Sequence, residues 1–230
     1  EQGHVAAQYN AGIMYDSGEG AEKNVAKALD LCREAAAQGH ADAQFNLGVM
    51  YDNGEYVSKD PDKALEWYQK AAAQKHAKAQ FNLGVMYDLG EGLSKDATKA
   101  MYWYQKAATL GHAKAQFRLG MMYGNAEVFS KKDAAKALRW YQKAAEQGHH
   151  KAQYNLGAMY DLGEGIARDA AKALEWYQKA AIQGHSEAQY RLGTMYDGGE
   201  VVKKSITKAL EWYQKAAVQG HVEAQYNLGA

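Results

Sequence analysis

The sequence predicts an all-α solenoid made of helix pairs, on three observations. The first is a repeat. The stretch AQFNLGVMYDLGEG beginning at Ala79 returns in variant form at Ala7, Ala43, Ala115, Ala152 and Ala188, and a shortened AQYNLGA begins at Ala224. The starts lie 36 residues apart, with one step of 37. An internal period of this size marks a solenoid, whose units bury their apolar faces only against one another. The second is helical periodicity: Ala43, Leu47, Met50 and Tyr51 fall at i, i+4, i+7 and i+8, one face of a helix. The third is composition, with one Pro and abundant Ala, Leu, Gln and Lys, which suit helices.

Each unit reads as two helices. In the first, a glycine follows the core leucine, or Ala11 in the first repeat: Gly12, Gly48, Gly84, Gly120, Gly157, Gly193 and Gly229. A mid-helix glycine costs about 1 kcal/mol relative to alanine, so its regular return predicts close approach by a neighbouring helix. Gly54 ends the first helix of its unit. The second helix starts at an N-cap residue three positions before a Lys-Ala pair: Asn24, Asp60, Asp96, Asp133, Asp169 or Ser205. Pro61 at N1 loses nothing by lacking an N–H. Ala64, Tyr68, Ala71 and Ala72 make the apolar stripe. Glu66–Lys70, Glu175–Lys179 and Glu211–Lys215 are spaced as i,i+4 ion pairs. Gly39, Gly111, Gly148, Gly184 and Gly220 end these helices in the left-handed conformation, and Lys75 replaces the glycine at one corner, which is expected to be strained or differently wound.

The array divides into repeats 4–39, 40–75, 76–111, 112–148, 149–184 and 185–220, with a partial repeat at 221–230 and residues 1–3 ending a preceding helix. All form one domain. The fourth repeat carries the extra residue between Glu127 and Lys136, with Ala126 in place of a loop glycine, so that loop is expected to bulge. The first repeat diverges, with Leu31-Cys32-Arg33-Glu34 where others have Trp-Tyr-Gln-Lys. The chain opens on Glu1 rather than Met and stops inside a unit; both ends read as cuts from a longer protein, so the lack of a visible signal peptide decides nothing.

Charge narrows the function. Lys plus Arg and Asp plus Glu are both 27, which gives no basic excess for nucleic acid. No apolar run is long enough to enter a membrane. Cys32 is the single cysteine, so no intramolecular disulfide forms. It has no base or orienting group beside it, and no phosphate loop, nucleophile elbow or metalloprotease motif occurs. No catalytic residue and no cofactor is assigned. His4, His40, His76, His112, His149, His185 and His221 occupy one corner of every unit, with His150 as the eighth. Zinc donors must lie roughly 3–4 Å apart, whereas packed helices lie about 8–10 Å apart. The row is therefore read as bonding free backbone groups at each corner, and no metal site is assigned.

The unit resembles the Sel1-like repeat. The resemblance is carried by A-x-AQ(Y/F)-x-LG-x-MY-x-x-G-x-G, a short loop, then D-x-x-KA-x-x-WYxKAA-x-QG, across the whole chain. Tetratricopeptide repeats share Leu47, Gly48 and Tyr51 of the first helix and Ala64, Tyr68 and Ala71 of the second. The resemblance implies a right-handed superhelix of antiparallel helix pairs whose first helices line the concave side. It also implies a non-enzymatic, protein-binding scaffold, a bacterial adaptor. An exported envelope or host-interaction factor is the alternative, and an enzyme or metal-dependent protein is disfavoured. The cysteine-rich branch of the family does not fit, since its cysteines are missing.

Two surfaces compete for the partner. Trp67, Trp103, Trp140, Trp176 and Trp212 precede the core tyrosine of the second helix. They either wedge between successive second helices or form an aromatic ridge, and their bulk favours the wedge. On the first helices, positions two after the core residues are turned by about 200°. Phe45, Asn46, Phe81, Asn82, Phe117, Arg118, Met121, Tyr154, Asn155, Tyr190 and Arg191 lie there, with Lys78, Lys114 and Lys151 one turn earlier. These rows suit an extended peptide: amides pair with any backbone, and rings give contact area at small entropic cost. Lys114 with Arg118 resembles the basic pair by which some tetratricopeptide domains hold a carboxylate. The same aromatics and amides could instead bridge successive first helices, and the sequence leaves both roles open. Asp16, Asp52, Asp88, Asp161 and Asp197 lie near helix C-termini, where an anion is unfavourable. They require a compensating partner in the next unit or a ligand. The incomplete last repeat also admits end-to-end self-association.

Overall fold

A computed structural model describes residues 2–124 and 131–229. Among them are thirteen α-helices and no strand: α1 (Gln2–Ser17), α2 (Val25–Ala37), α3 (Ala41–Asn53), α4 (Pro61–Ala73), α5 (Ala77–Leu89), α6 (Ala97–Thr109), α7 (Ala113–Gly124), α8 (Lys131–Glu146), α9 (His150–Leu162), α10 (Ala170–Ile182), α11 (Ser186–Gly198), α12 (Ile206–Val218) and α13 (Val222–Gly229). Odd-numbered helices are first helices of a repeat and even-numbered ones second helices. The chain is an all-α solenoid in which helices adjacent in sequence pack on one another. It forms two compact units, Glu1–Ala115 and Gln116–Ala230.

The caps explain where the second helices begin. Asn24, Asp60, Asp96, Asp169 and Ser205 each accept a hydrogen bond from the backbone N–H three residues on. Their own N–H groups donate to the carbonyls of Tyr15, Tyr51, Tyr87, Tyr160 and Tyr196, at 2.8–2.9 Å, which clips each loop to the preceding first helix. Asp133 departs from expectation. α8 starts two residues earlier, at Lys131, so Asp133 lies in the first turn rather than at the cap. There its charge faces the positive end of the helix and meets Lys136 at 3.4 Å. The expected bulge next to it, including Ala126, lies outside the described residues.

Each first helix carries its own glycine for one reason. A Cβ built on Gly84 would stand 2.5 Å from Cδ1 of Tyr104, and one on Gly48 would stand 2.6 Å from Cδ1 of Tyr68. The tyrosine ring presses against the first helix of its own repeat, where a side chain in place of the glycine would have no room. Tyr68, Tyr104 and Tyr177 are among the largest fully buried side chains, ringed by alanines such as Ala64, Ala71 and Ala79 and by Leu83. In the first repeat Cys32 replaces the ring, and Gly12 meets nothing closer than 3.3 Å. Cys32 is buried, and burial pushes its thiol up to about 11, which leaves it protonated at neutral pH. The corner after each second helix is also as expected. Gly39, Gly111, Gly148, Gly184 and Gly220 have φ of 87–92°, and Lys75 adopts φ 62° in the same place.

The histidine row caps the first helices. Nδ1 of His40, His76, His112, His149, His185 and His221 accepts the backbone N–H three residues later, at 3.2–3.4 Å. Only the neutral ring can do this. Burial, with Lys114, Lys78 and His76 adding to it, holds His112 down at about 4. Burial, His150 and Lys151 do the same for His185 against the opposing pull of Glu187.

Gly84→Ala should therefore destabilise the fold by about 1–3 kcal/mol through overpacking against Tyr104, net of the helix-propensity gain, while Gly12→Ala should change it by less than about 1 kcal/mol. Urea unfolding of the two variants checks this. A second expectation concerns pH. A depressed histidine contributes stability that is complete above its unfolded pKa of about 6.5 and is lost as pH falls toward the folded value. The urea midpoint should fall between pH 6.5 and 5. His112→Asn keeps a capping side chain that does not titrate, so its midpoint should fall less over that interval. An equal fall in both proteins would remove His112 from the effect.

Candidate partner-binding surface

The first-helix aromatics are joints between repeats. Tyr9 stacks on His40, Phe45 on His76, Phe81 on His112, Phe117 on His149, Tyr154 on His185 and Tyr190 on His221, with ring centroids 4.5–4.7 Å apart. Each ring thus lies on the cap of the following first helix. Phe45, Phe81, Phe117, Tyr154 and Tyr190 are half-buried. They also tilt against the core tyrosines, as Phe45 does against Tyr68 at 6.0 Å. Two acidic residues brace the row: Asp42 reaches Nε2 of His76 at 3.0 Å, and Glu187 reaches Nε2 of His221 at 2.7 Å.

The amides and aspartates form a second joint. Tyr68 donates its hydroxyl hydrogen to Asp52 at 3.1 Å, Tyr104 to Asp88 at 3.2 Å and Tyr177 to Asp161 at 3.4 Å. Asp16 accepts from Tyr56 at 3.1 Å, and Asp197 pairs with Lys204 at 3.6 Å. These bonds supply the compensation that an anion at a helix C-terminus requires, and, except for Tyr56, the partner comes from the same repeat rather than from the next repeat or a ligand. The next repeat closes the arrangement from the other side: the amides of Asn82, Asn155 and Asn227 act on the hydroxyls of Tyr68, Tyr141 and Tyr213, favouring their ionised forms. Burial raises all three tyrosines, Tyr141 to about 12. In the first repeat, where Cys32 replaces the tyrosine, Asn46 donates instead to Tyr9 at 2.8 Å.

What the rows leave open is mostly basic. Lys78, Lys114 and Lys151 are exposed. Lys78 and Lys114 both act on His112, and Lys151 acts on His185. Arg118 and Arg191 stand where other repeats carry asparagine. Arg118 is half-buried, one turn beyond Lys114 on α7. Arg191 is exposed, lies within electrostatic reach of Tyr154 and pairs with Glu187 at 3.4 Å. Met121 is 42% exposed.

The tryptophans take the wedge role. Trp67 packs against the core around Cys32 and Leu47, Trp103 against that around Tyr68, Trp176 against that around Tyr141 and Trp212 against that around Tyr177. Lys70, Lys179 and Lys215, expected to pair with a glutamate four residues earlier, lie over Trp67, Trp176 and Trp212 at 3.9–4.2 Å from the ring centres. A cation over an exposed aromatic face contributes about 0.5–1 kcal/mol, more than a surface i,i+4 ion pair. Among the described residues, no group of three His, Cys, Asp or Glu side chains is placed to hold a metal.

One buried polar row escaped the sequence reading. Gln44, Gln80, Gln116, Gln153 and Gln189 are only 4–6% exposed. Nε2 of Gln44, Gln80, Gln153 and Gln189 donates to a carbonyl of the preceding second helix at 3.1 Å. Their partners follow the second helices. Gln38 donates to Gln8, Gln74 to Gln44, Gln147 to Gln116, Gln183 to Gln153 and Gln219 to Gln189, at 2.7–2.8 Å. The signal lay in the two glutamines that recur in almost every unit, 30 or 31 residues apart.

Comparison with known proteins agrees with this architecture. The family model described as Sel1 repeat matches residues 5–40, 41–76, 77–112, 113–149, 150–185 and 186–221. No curated protein matched the chain. Among solved structures, a protective antigen present in uropathogenic Escherichia coli strains and displaying an SLR fold is 37% identical, over 99% of this chain and 49% of its own, with a TM-score of 0.91. The chain thus spans about half the length of that protein. A Sel1 repeat protein from Oxalobacter formigenes is 38% identical over 92% of this chain and 84% of its own, with a TM-score of 0.77. With six matched repeats covering nearly its whole length, the chain belongs to the Sel1 repeat family.

Proposed function

We propose that the chain is a bacterial adaptor that holds an acidic protein or peptide segment on a concave surface lined by its first helices. Sel1 repeat proteins are generally non-catalytic scaffolds for protein–protein interaction. The observation that carries the finer reading is the division of labour on the first helices. The aromatics and asparagines are engaged between repeats, whereas Lys78, Lys114, Lys151 and Met121 are exposed. Positive side chains on a surface otherwise committed to packing suit carboxylates, with the half-buried rings and Met121 lending apolar contact.

The partner set is protein or peptide. The described residues include no helix long and apolar enough to cross a membrane. The likeness to a protective antigen of a pathogen supports a second reading, an exported factor that meets a host. Fractionation of cells making the full-length protein distinguishes the two, since an adaptor confined to the cytoplasm would not reach the medium or envelope.

An acidic peptide with a free C-terminal carboxylate, followed by fluorescence anisotropy, should bind the wild type. Lys114→Ala and Arg118→Ala should each weaken that binding by roughly tenfold, the worth of one charged hydrogen bond. Helicity and the thermal midpoint should stay near those of the wild type, because neither side chain belongs to the buried core. Unchanged affinity in both variants would remove the assigned surface.

A further inference from the structure

The glutamine row is broken once. Leu110 stands where Gln38, Gln74, Gln147, Gln183 and Gln219 stand elsewhere. Gln80, 4% exposed, still donates Nε2 to the Ala72 carbonyl at 3.1 Å, but its Oε1 is buried without a partner. A buried acceptor left unbonded is destabilising, and such a group needs a reason.

Gln80 lines a cavity of about 460 Å³, within the size of ligand pockets. Around it stand Lys75, Tyr102, Trp103, Lys106 and Leu110. Three of these are departures confined to this repeat junction. Tyr102 occupies a position that is Asp30, Glu66, Arg139, Glu175 or Glu211 in the other repeats. It is 53% exposed, meets Trp103 edge-on at 5.1 Å and has Lys106 over its ring at 5.4 Å. Leu110 is 46% exposed. Lys75 replaces a glycine at φ 62°, a strained conformation for a side-chain-bearing residue. An aromatic pair, an exposed aliphatic wall and two ammonium groups thus surround an unused acceptor.

We propose that this cavity docks an acidic partner segment that displaces the exposed side chain of Leu110 and inserts a primary-amide side chain, glutamine or asparagine, whose N–H donates to the otherwise covered Oε1 of Gln80. The protein itself displays the chemistry of the occupant. At the equivalent acceptors of Gln44, Gln153 and Gln189, a glutamine amide sits at 2.8 Å. Lys75 and Lys106 set the charge of the flanking residues, and Tyr102 and Trp103 offer faces to an apolar neighbour. The site lies at the second helices α4 and α6, with Gln80 reaching it from α5, and it uses none of the residues assigned to the first-helix surface.

The blocked tetrapeptide acetyl-Glu-Gln-Phe-Glu-amide tests this by NMR, observed at the Gln80 side-chain amide and the Trp103 indole. It should shift both signals, and the analogue with leucine in place of glutamine should bind about tenfold or more weakly. Leu110→Gln restores the missing amide from within the chain. It should weaken peptide binding at least about tenfold and raise the thermal midpoint by about 2–4 °C. Lys114→Ala and Arg118→Ala should bind the peptide as the wild type does. Failure of the wild type to bind, equal binding of the two peptides, undiminished binding by Leu110→Gln, or an unchanged midpoint in that variant would each overturn the proposal.

Discussion

The close contact between a second-helix tyrosine and a first-helix glycine sets the geometry from which the other joints follow. With the ring of Tyr104 where a Cβ on Gly84 would be, the two helices of a repeat lie as close as backbone and ring allow. Only at that spacing does the tyrosine hydroxyl emerge beside Asp88 near the end of the first helix. The same placement lets Asn82 of the third repeat meet the hydroxyl of Tyr68 in the second. The close pairing therefore fixes the position of a polar bridge, and the bridge fixes the next repeat.

The first repeat shows what happens when the ring is lost. Cys32 fills less space, its thiol points to the Ala43 carbonyl at 3.6 Å, and no hydroxyl is offered at that point. Asn46 turns to Tyr9, an aromatic of its neighbour's first helix. The joint survives by substitution of a donor and acceptor pair, because an amide buried at a repeat boundary must bond to something.

Local features were legible in the sequence and long-range pairings were not. A cap bonds three residues ahead, so Asp60, Asp96 and Asp169 announce themselves by spacing alone. The glycine beside Leu83 announced a close approach but not which ring makes it. Asp133 misled because a cap and a first-turn acid share the same chemistry, and only the helix start separates them. The partner of Asp52 lies 16 residues away and that of Phe45 lies 31 away. Both depend on how two helices cross, which periodicity does not encode. The first-helix residues read as a binding face are mostly joint residues for that reason. The lysines, which recur in three successive repeats, and Met121 stay exposed, while Arg118 and Arg191 interrupt the asparagine row.

The histidine–aromatic stack has a consequence for how such a chain can change length. Each cap ring meets the aromatic of the repeat before it, and Tyr9, Phe45 and Phe81 present nearly the same surface to His40, His76 and His112. The joint is thus blind to which repeat supplies either half. Loss or duplication of one whole 36-residue unit inside Glu1–Ala115 would bring a ring against a histidine again. Recombination between repeats can lengthen or shorten the array without inventing a contact, and what it alters is the order of the irregular residues that give each repeat its individuality.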